Sequence, residues 1–293
     1  MRDRYGLAGK VVLITGAGGG LGSCLAQVLA ARGARLALVD IDGGAAQRVA
    51  APLGEGTALA LHGDVTDLAS MQAAVREAIA TFGQMDVAIA NAGILGRGAT
   101  FRNLTTTEVE GVMAVNVGGV VNTASAAFES IIERKGQFVA ISSVYAFVNG
   151  AGAIPYSMSK AAVAQLGRGL SSELAPHGAS AMTAYFALLE TEMIGNGVDA
   201  HPEVAELLAI TPKFLLRRLA PAVAANAIAD GIEARKSRVV MPGRWRPLFS
   251  LQGVAGPAID KRNARMPAMS SALNKLDARD RQPATSASAP TNT

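Results

Sequence analysis

The 293-residue chain has a single cysteine, Cys24, so no disulfide can form within it and a reducing compartment, the cytoplasm, is the expected location. Cys24 falls inside a predicted helix and reads as a small core residue. Histidine is nearly as scarce: His62, His177 and His201 are scattered without ligand spacing, and no metal site is expected. No stretch reaches the ~18 uninterrupted apolar residues of a membrane span. The first ten residues mix Arg2, Asp3, Arg4 and Gly6 ahead of a short apolar run, which is unlike a secretory signal. Charge is low overall, at a formal +4, and unevenly spread. From Gly243 onward eight Lys and Arg face three Asp, so the body is close to neutral and no nucleic-acid partner is expected.

Half of the residues are apolar. That is enough to bury one large core, and the periodicity argues for one domain. Val11 to Thr15 is apolar without alternation, as in a parallel strand covered on both faces. It runs into Thr15-Gly16-Ala17-Gly18-Gly19-Gly20-Leu21-Gly22 and then a helical pattern from Ser23 to Arg32. Strand, glycine turn and helix form the setting of a pyrophosphate site, because the backbone can approach closely and the helix start offers unpaired N–H groups. Gly16, Gly20 and Gly22 are the candidate contacts.

A second run, Leu36 to Val39, ends in Asp40, 24 residues beyond Gly16. A carboxylate there can accept both ribose hydroxyls and would repel a 2′-phosphate, which favours NAD over NADP. It can equally cap the turn that follows. Helix Gly43–Leu53, strand Thr57–Leu61, helix Leu68–Phe82 and strand Met85–Ala90 continue the alternation. So do helix Thr105–Arg134, strand Gly136–Ser143, helix Tyr156–His177, strand Ser180–Phe186, helix Pro221–Arg235 and strand Arg238–Met241. The expected class is α/β, a doubly wound parallel sheet (Rossmann fold) of about seven strands with helices on both faces. Ligands bind such sheets at the carboxyl ends of the strands, where Asp64 and the run Asn91, Ala92, Gly93 fall. Asn116, inside the apolar helix Thr105–Arg134, is either a satisfied core amide or part of a site.

Tyr156 and Lys160 are four apart on a helix and so share a face. Tyr156 comes 13 residues after Ser143, the end of the fifth strand. A cation a few Å from a phenol in a desolvated cleft is expected to lower its pKa from ~10 by roughly two units.

Together these motifs resemble the short-chain dehydrogenase/reductase superfamily over about Gly9 to Pro242. The resemblance rests on Thr15-Gly16-x-x-x-Gly20-x-Gly22, Asn91-Ala92-Gly93, Ser143 and Tyr156-x-x-x-Lys160, with Asn116 in the expected helix. It implies a catalytic tetrad. Tyr156 would be the general acid/base and Ser143 would hydrogen-bond the reacting oxygen. Lys160 would bind the nicotinamide ribose and depress the phenol, and Asn116 would hold a water in a proton relay. It further implies cofactor contacts at Leu21, Ile41, Asp64, Val65, Leu189 and Thr191, and a homo-oligomer, dimer or tetramer. Two departures stand out. Ala90 precedes Asn91 where the family often has a second Asn. Phe186 and Ala187 occupy the usual Pro-Gly positions, so the turn before Thr191 lacks a glycine's freedom.

The expected organisation is one catalytic domain, 1–242, with a substrate lid at about 188–216 and a basic extension, 243–293. Segments Ile94–Gly98, Val144–Ile154 and Leu188–Leu216, the last including Phe214, are apolar and carry no arginine cluster. A small lipophilic secondary alcohol or ketone follows as the expected substrate. An NAD-using epimerase or dehydratase, and a non-catalytic dinucleotide sensor, are the rival readings. In the extension Trp245, Leu248, Phe249, Leu251 and Val254 alternate with Arg244 and Arg246. They would pack on their own domain or form an amphipathic segment touching a lipid surface or partner subunit. Arg281 to Thr293, rich in Pro, Ser, Thr and Ala, is expected to be disordered.

Overall fold

The computed structural model of the protein describes residues 4–281. Seven strands form one sheet: β1 (Val11–Thr15), β2 (Arg35–Asp40), β3 (Ala58–His62), β4 (Val87–Ala90), β5 (Gln137–Ser143), β6 (Ser180–Phe186) and β7 (Arg238–Met241). Their order is β3-β2-β1-β4-β5-β6-β7, and every pairing is parallel. Strands β1, β4 and β5 are buried at every position, which is why their sequences run apolar without alternation. The order reverses between β1 and β4, and a doubly wound sheet binds its ligand at the crevice this opens.

The helices, in chain order, are α1 (Gly20–Ala31), α2 (Gly43–Ala50), α3 (Leu68–Phe82), α4 (Thr106–Met113), α5 (Gly119–Glu133), α6 (Ile154–Leu174), α7 (Glu192–Ile194), α8 (Pro202–Leu208), α9 (Lys213–Leu216), α10 (Pro221–Glu233), α11 (Arg246–Ala264) and α12 (Pro267–Arg281). Leu25 and Leu29 of α1 meet Ile228 and Ile232 of α10 on one face of the sheet. Met71 of α3, Ala127 and Ile131 of α5, and Val163 and Leu174 of α6 fill the other. The layered α/β architecture is therefore the expected one.

Several element ends differ from the expectation, each for a local reason. Helix α1 starts at Gly20, so the loop's last glycines form its first turn, and α6 starts at Ile154 with Pro155 inside that turn. The stretch expected as one helix from Thr105 to Arg134 is α4 and α5 joined by a π-turn, Ala114–Gly118, centred on Asn116. Thr105 caps α4 in a reciprocal box with Glu108. By length and composition Thr106–Glu133 is apolar enough to cross a bilayer. Here Val120, Ala124, Ala127 and Ile131 are buried in the core, while Glu129 and Glu133 face solvent.

Beyond β7, Trp245 is buried against Tyr185 and Val240, with Phe147, Leu248 and Phe249 around it. Leu251 and Val254 of α11 are exposed. Helix α12 folds back onto α8, burying Ala272 and Leu276. Apart from Arg281, the stretch expected to be disordered lies outside the described residues.

Candidate active site

The glycine loop is shaped by two close approaches. Gly16 has φ +63°, and a Cβ there would sit 2.8 Å from Ala92 Cα; a Cβ on Gly22 would sit 2.1 Å from the Gly16 carbonyl oxygen. The loop therefore lies against both the end of β4 and the start of α1, with first-turn N–H groups free to meet an anion. Asn91 holds this arrangement. Its side-chain amide donates to the carbonyls of Thr15 (2.9 Å) and Gly16 (3.0 Å), and the Thr15 hydroxyl accepts from the backbone N–H of Asn91 and Ala92, both at 3.1 Å. Asn91 and Ala92 thus act on the loop as struts. In the sequence Thr15 belongs to the glycine motif with no role of its own. Its signal was a hydroxyl ending a fully apolar strand.

Asp40 takes up the turn-holding role. Its Oδ2 accepts from Gly18 N (2.8 Å) and its Oδ1 from Asp42 N (3.0 Å), so it ties the loop to the next turn while its carboxylate stands at the end of β2. Ile41 beside it is two-thirds exposed. The Asp64 carboxylate accepts from the backbone and hydroxyl of Thr66, both at 2.8 Å. Val65 is pressed on Gly119, and its carbonyl accepts from Asn122 Nδ2 at 2.9 Å. Asn122 carried no signal in the sequence, because one more polar residue in a helix has no visible partner.

Two of the four tetrad positions, Asn116 and Lys160, meet at Gly93. A Cβ built there would lie 3.1 Å from Asn116 Oδ1 and 3.4 Å from Lys160 Nζ. Asn116 is fully buried and satisfied: Oδ1 accepts from Ile94 N (2.7 Å), and Nδ2 donates to Ile94 O (2.8 Å) and Ser159 Oγ (3.0 Å). It is a satisfied core amide and also a neighbour of Lys160. The Lys160 ammonium donates to Ile141 O at 3.1 Å and lies 5.5 Å from the Tyr156 ring centroid. Ser143 Oγ donates to Phe186 O (3.2 Å) and accepts from Tyr145 N (3.2 Å).

Electrostatics corrects one expectation. Burial raises the Tyr156 phenol above its ordinary 10.0, and the influence that opposes this is a Ser143 hydrogen bond, with no contribution from Lys160. Burial instead acts on the cation, pushing Lys160 from 10.5 down to about 8. The i, i+4 spacing placed the two on one face, but it held no information on how completely both are desolvated.

The segment after β6 needs no glycine. The only non-glycine residues with positive φ among the described residues are Lys135 and Arg235. Ala187 is therefore unstrained, and its N–H donates to Met241 O. Leu189 bridges to Leu219, and Glu190 N and Leu219 N exchange bonds with Leu219 O and Leu188 O. This sets Thr191 over the start of α1, with its Cγ2 3.0 Å from the position of a Cβ on Gly20.

Ser143 and Tyr156 both line a cavity of about 510 Å³. Its walls include Leu95, Val144, Phe147, Met193, Leu207 and Ile210, as the apolar segments implied. Ile94, Ile154 and Phe214 are absent from the lining; Ile94 and Phe214 are exposed instead. Tyr145 also lines it, edge-on to Tyr156 with ring centroids 5.8 Å apart, and burial pushes its phenol up to about 12. The extension adds Trp245, Leu248, Ile259 and Met269.

Fold and glycine loop together define a dinucleotide-binding type of α/β protein, with Ser143 and Tyr156 on the wall of one cavity. The residues fit such a cofactor: the glycine loop leaves the start of α1 without a side-chain cap, and Asp40 and Ile41 stand at the adjoining strand end. A family model described as short chain dehydrogenase matches residues 10–201, and the chain belongs to that family of oxidoreductases. Momilactone A synthase of Oryza sativa subsp. japonica is 36% identical over 179 residues, 60% of this chain and 65% of that protein. Oxidoreductase UcpA of Salmonella typhimurium is 33% identical over 232 residues, 78% of this chain and 85% of that protein. The 3-ketoacyl-(acyl-carrier-protein) reductase of Brucella melitensis, solved with NADH, superposes with a TM-score of 0.72 at 27% identity, covering 80% of this chain and 97% of the other.

Proposed function

We propose that the protein is an NAD(H)-dependent oxidoreductase interconverting a lipophilic secondary alcohol and its ketone. The observation that carries this reading is the pairing of the Tyr156 and Ser143 hydroxyls on one largely apolar cavity, with Lys160 buried behind them. The Brucella reductase bound to NADH supports the choice of cofactor, and Asp40 supports NAD over NADP.

The glycine loop, Asp40, Asp64, Val65, Lys160 and Thr191 would hold NAD(H), which would supply or accept the hydride. In reduction the phenol of Tyr156 gives its proton to the carbonyl oxygen, and in oxidation the phenolate takes one from the hydroxyl. Its high pKa in the protein alone suits the proton-donating direction, since the phenol stays loaded at neutral pH. Ser143 turns its hydroxyl from Phe186 O to the substrate oxygen. The apolar walls exclude water, which strengthens these contacts.

The test is reduction of a panel of ketones by NADH, followed by nicotinamide absorbance, with wild type and Tyr156→Phe. Turnover that falls by roughly 10² to 10⁴ in the variant, with NADH binding retained, is the expected result. Binding of NADH without reduction of any ketone or oxidation of any alcohol would overturn the reading in favour of a sensor.

A further inference from the structure

One buried carboxylate ties the extension beyond Gly243 to a turn of chain beside the cavity. Asp277, on α12, is 6% exposed. It accepts from the Thr100 hydroxyl, the Arg102 guanidinium and Asn103 Nδ2 (2.8 Å), three donors on a single turn of chain more than 170 residues away. These contacts hold its carboxyl below the ordinary carboxylate range. The same helix also reaches α8. Lys275 Nζ pairs with Glu206 of α8 at 2.6 Å, and Leu276 meets Leu207 beside Gly152, where a Cβ would be 2.4 Å from the Leu207 methyl and 3.3 Å from that of Leu276. Arg279 donates to Gly98 O, and Arg97 bridges Glu108 and Asp280.

Arg97 and Gly98 belong to one wall of the cavity and Val204 and Leu207 of α8 to the adjoining one, and the two meet at Gly98, where a Cβ would lie 2.7 Å from a Val204 methyl. An apolar helix face could slide on such a surface; three directed hydrogen bonds into one carboxylate fix its register. The first turn of α12 then carries Met269, and α11 carries Leu248 and Ile259, to the lining.

We propose that Asp277 is a positioning residue that clasps α12 across both walls, so that the extension forms part of the substrate site and sets the size of ketone admitted. The proposal rests on the alcohol/ketone reading for its kinetic arm only. With the clasp closed, the cavity holds a large lipophilic substrate in a fixed shape. With it open, 97–103 and α8 lose the helix that bridges them and keep only their direct contact at Gly98 and Val204, and the fit to large substrates is lost first.

The test uses full-length Asp277→Asn and Arg102→Ala. Two readouts are taken: hydrogen exchange over 97–104, 202–208 and 267–281, and KM and kcat with NADH over ketones graded by size. Asn keeps the shape and removes the charge, while Arg102→Ala keeps the carboxylate and serves if the first variant does not fold. The expected result is faster exchange in all three segments together. KM for the largest ketones should rise about tenfold, the worth of one net hydrogen bond, with kcat little changed and a smaller effect in Arg102→Ala. Faster exchange confined to 267–281, or a KM rise equal across all sizes, would overturn the proposal. If the wild type reduces no ketone, the functional reading falls and the exchange pattern still decides the clasp.

Discussion

Lys160 Nζ lies 5.5 Å from the centroid of the Tyr156 ring, one helical turn away, and burial moves the two groups in opposite directions. Both neutral forms are favoured, so the pair holds no charge cheaply. An ammonium whose folded pKa lies below its unfolded value costs stability while charged. The cost of Lys160 is full below about 8 and is relieved as pH rises toward 10.5. Urea unfolding of wild type and Lys160→Met should therefore converge or cross with pH. The balance should shift toward wild type, on the order of 3 kcal/mol between neutral pH and about 10.5. A gap independent of pH would mean that the ammonium is well solvated in the folded protein.

Three glycines in similar helical settings should respond differently to alanine. At Gly22 the new Cβ would lie 2.1 Å from the Gly16 carbonyl, a backbone atom with no means of escape. Gly22→Ala should cost about 1–3 kcal/mol and remove NADH binding. At Gly20 the nearest atoms are the Thr191 side chain at 3.0 and 3.2 Å, which can turn aside; a modest loss of affinity is expected. At Gly111, exposed within α4 with nothing within 4 Å, alanine should stabilise by about 0.5–1 kcal/mol through helix propensity. Thermal unfolding and NADH titration of the three variants check the order.

What was legible in the sequence followed local rules. The buried strands showed as unbroken apolar runs, and glycine spacing and the Tyr156–Lys160 turn placed the chemistry at their carboxyl ends. What was not legible depended on contacts distant in the chain. The π-turn at Asn116 arises where the helix accommodates an amide bonded to Ile94 and Ser159, 22 and 43 residues away. Asp277 reads as an ordinary surface acid in a basic tail until its partners at Thr100, Arg102 and Asn103 are known. Desolvation, which reversed the expected direction for Tyr156, is a property of the whole surrounding core.

Asp40 holds the glycine loop through two hydrogen bonds and carries the charge on which the proposed preference for NAD rests, and substitution should separate the two. Asp40→Ser removes the charge that would repel a 2′-phosphate and also the acceptors for Gly18 N and Asp42 N. NAD affinity should fall, and the NAD/NADP preference should narrow by roughly tenfold or more. Asp40→Asn retains an acceptor for the loop and should lose preference with less loss of NAD affinity. Equilibrium binding of both cofactors to both variants distinguishes the roles. An unchanged ratio in Asp40→Ser would place cofactor choice elsewhere.

Tyr145 is the aromatic side chain whose edge meets Tyr156, at 5.8 Å and an interplanar angle of 74°, and its backbone N–H donates to Ser143 Oγ. It therefore touches both hydroxyl-bearing residues, one through its ring and the other through its main chain. An edge-on aromatic pair is worth about 0.5–1.5 kcal/mol beyond area burial, enough to hold the Tyr156 ring in one orientation. Tyr145→Phe keeps the ring and the N–H, so kcat should stay within about twofold if packing is what matters. Tyr145→Ala keeps only the N–H. It should lower kcat by roughly tenfold, because Tyr156 gains freedom and the cavity widens beside it. The result that would count against this is a large loss already in Tyr145→Phe. That would assign the Tyr145 hydroxyl, with its pKa near 12, a direct hydrogen bond to the substrate.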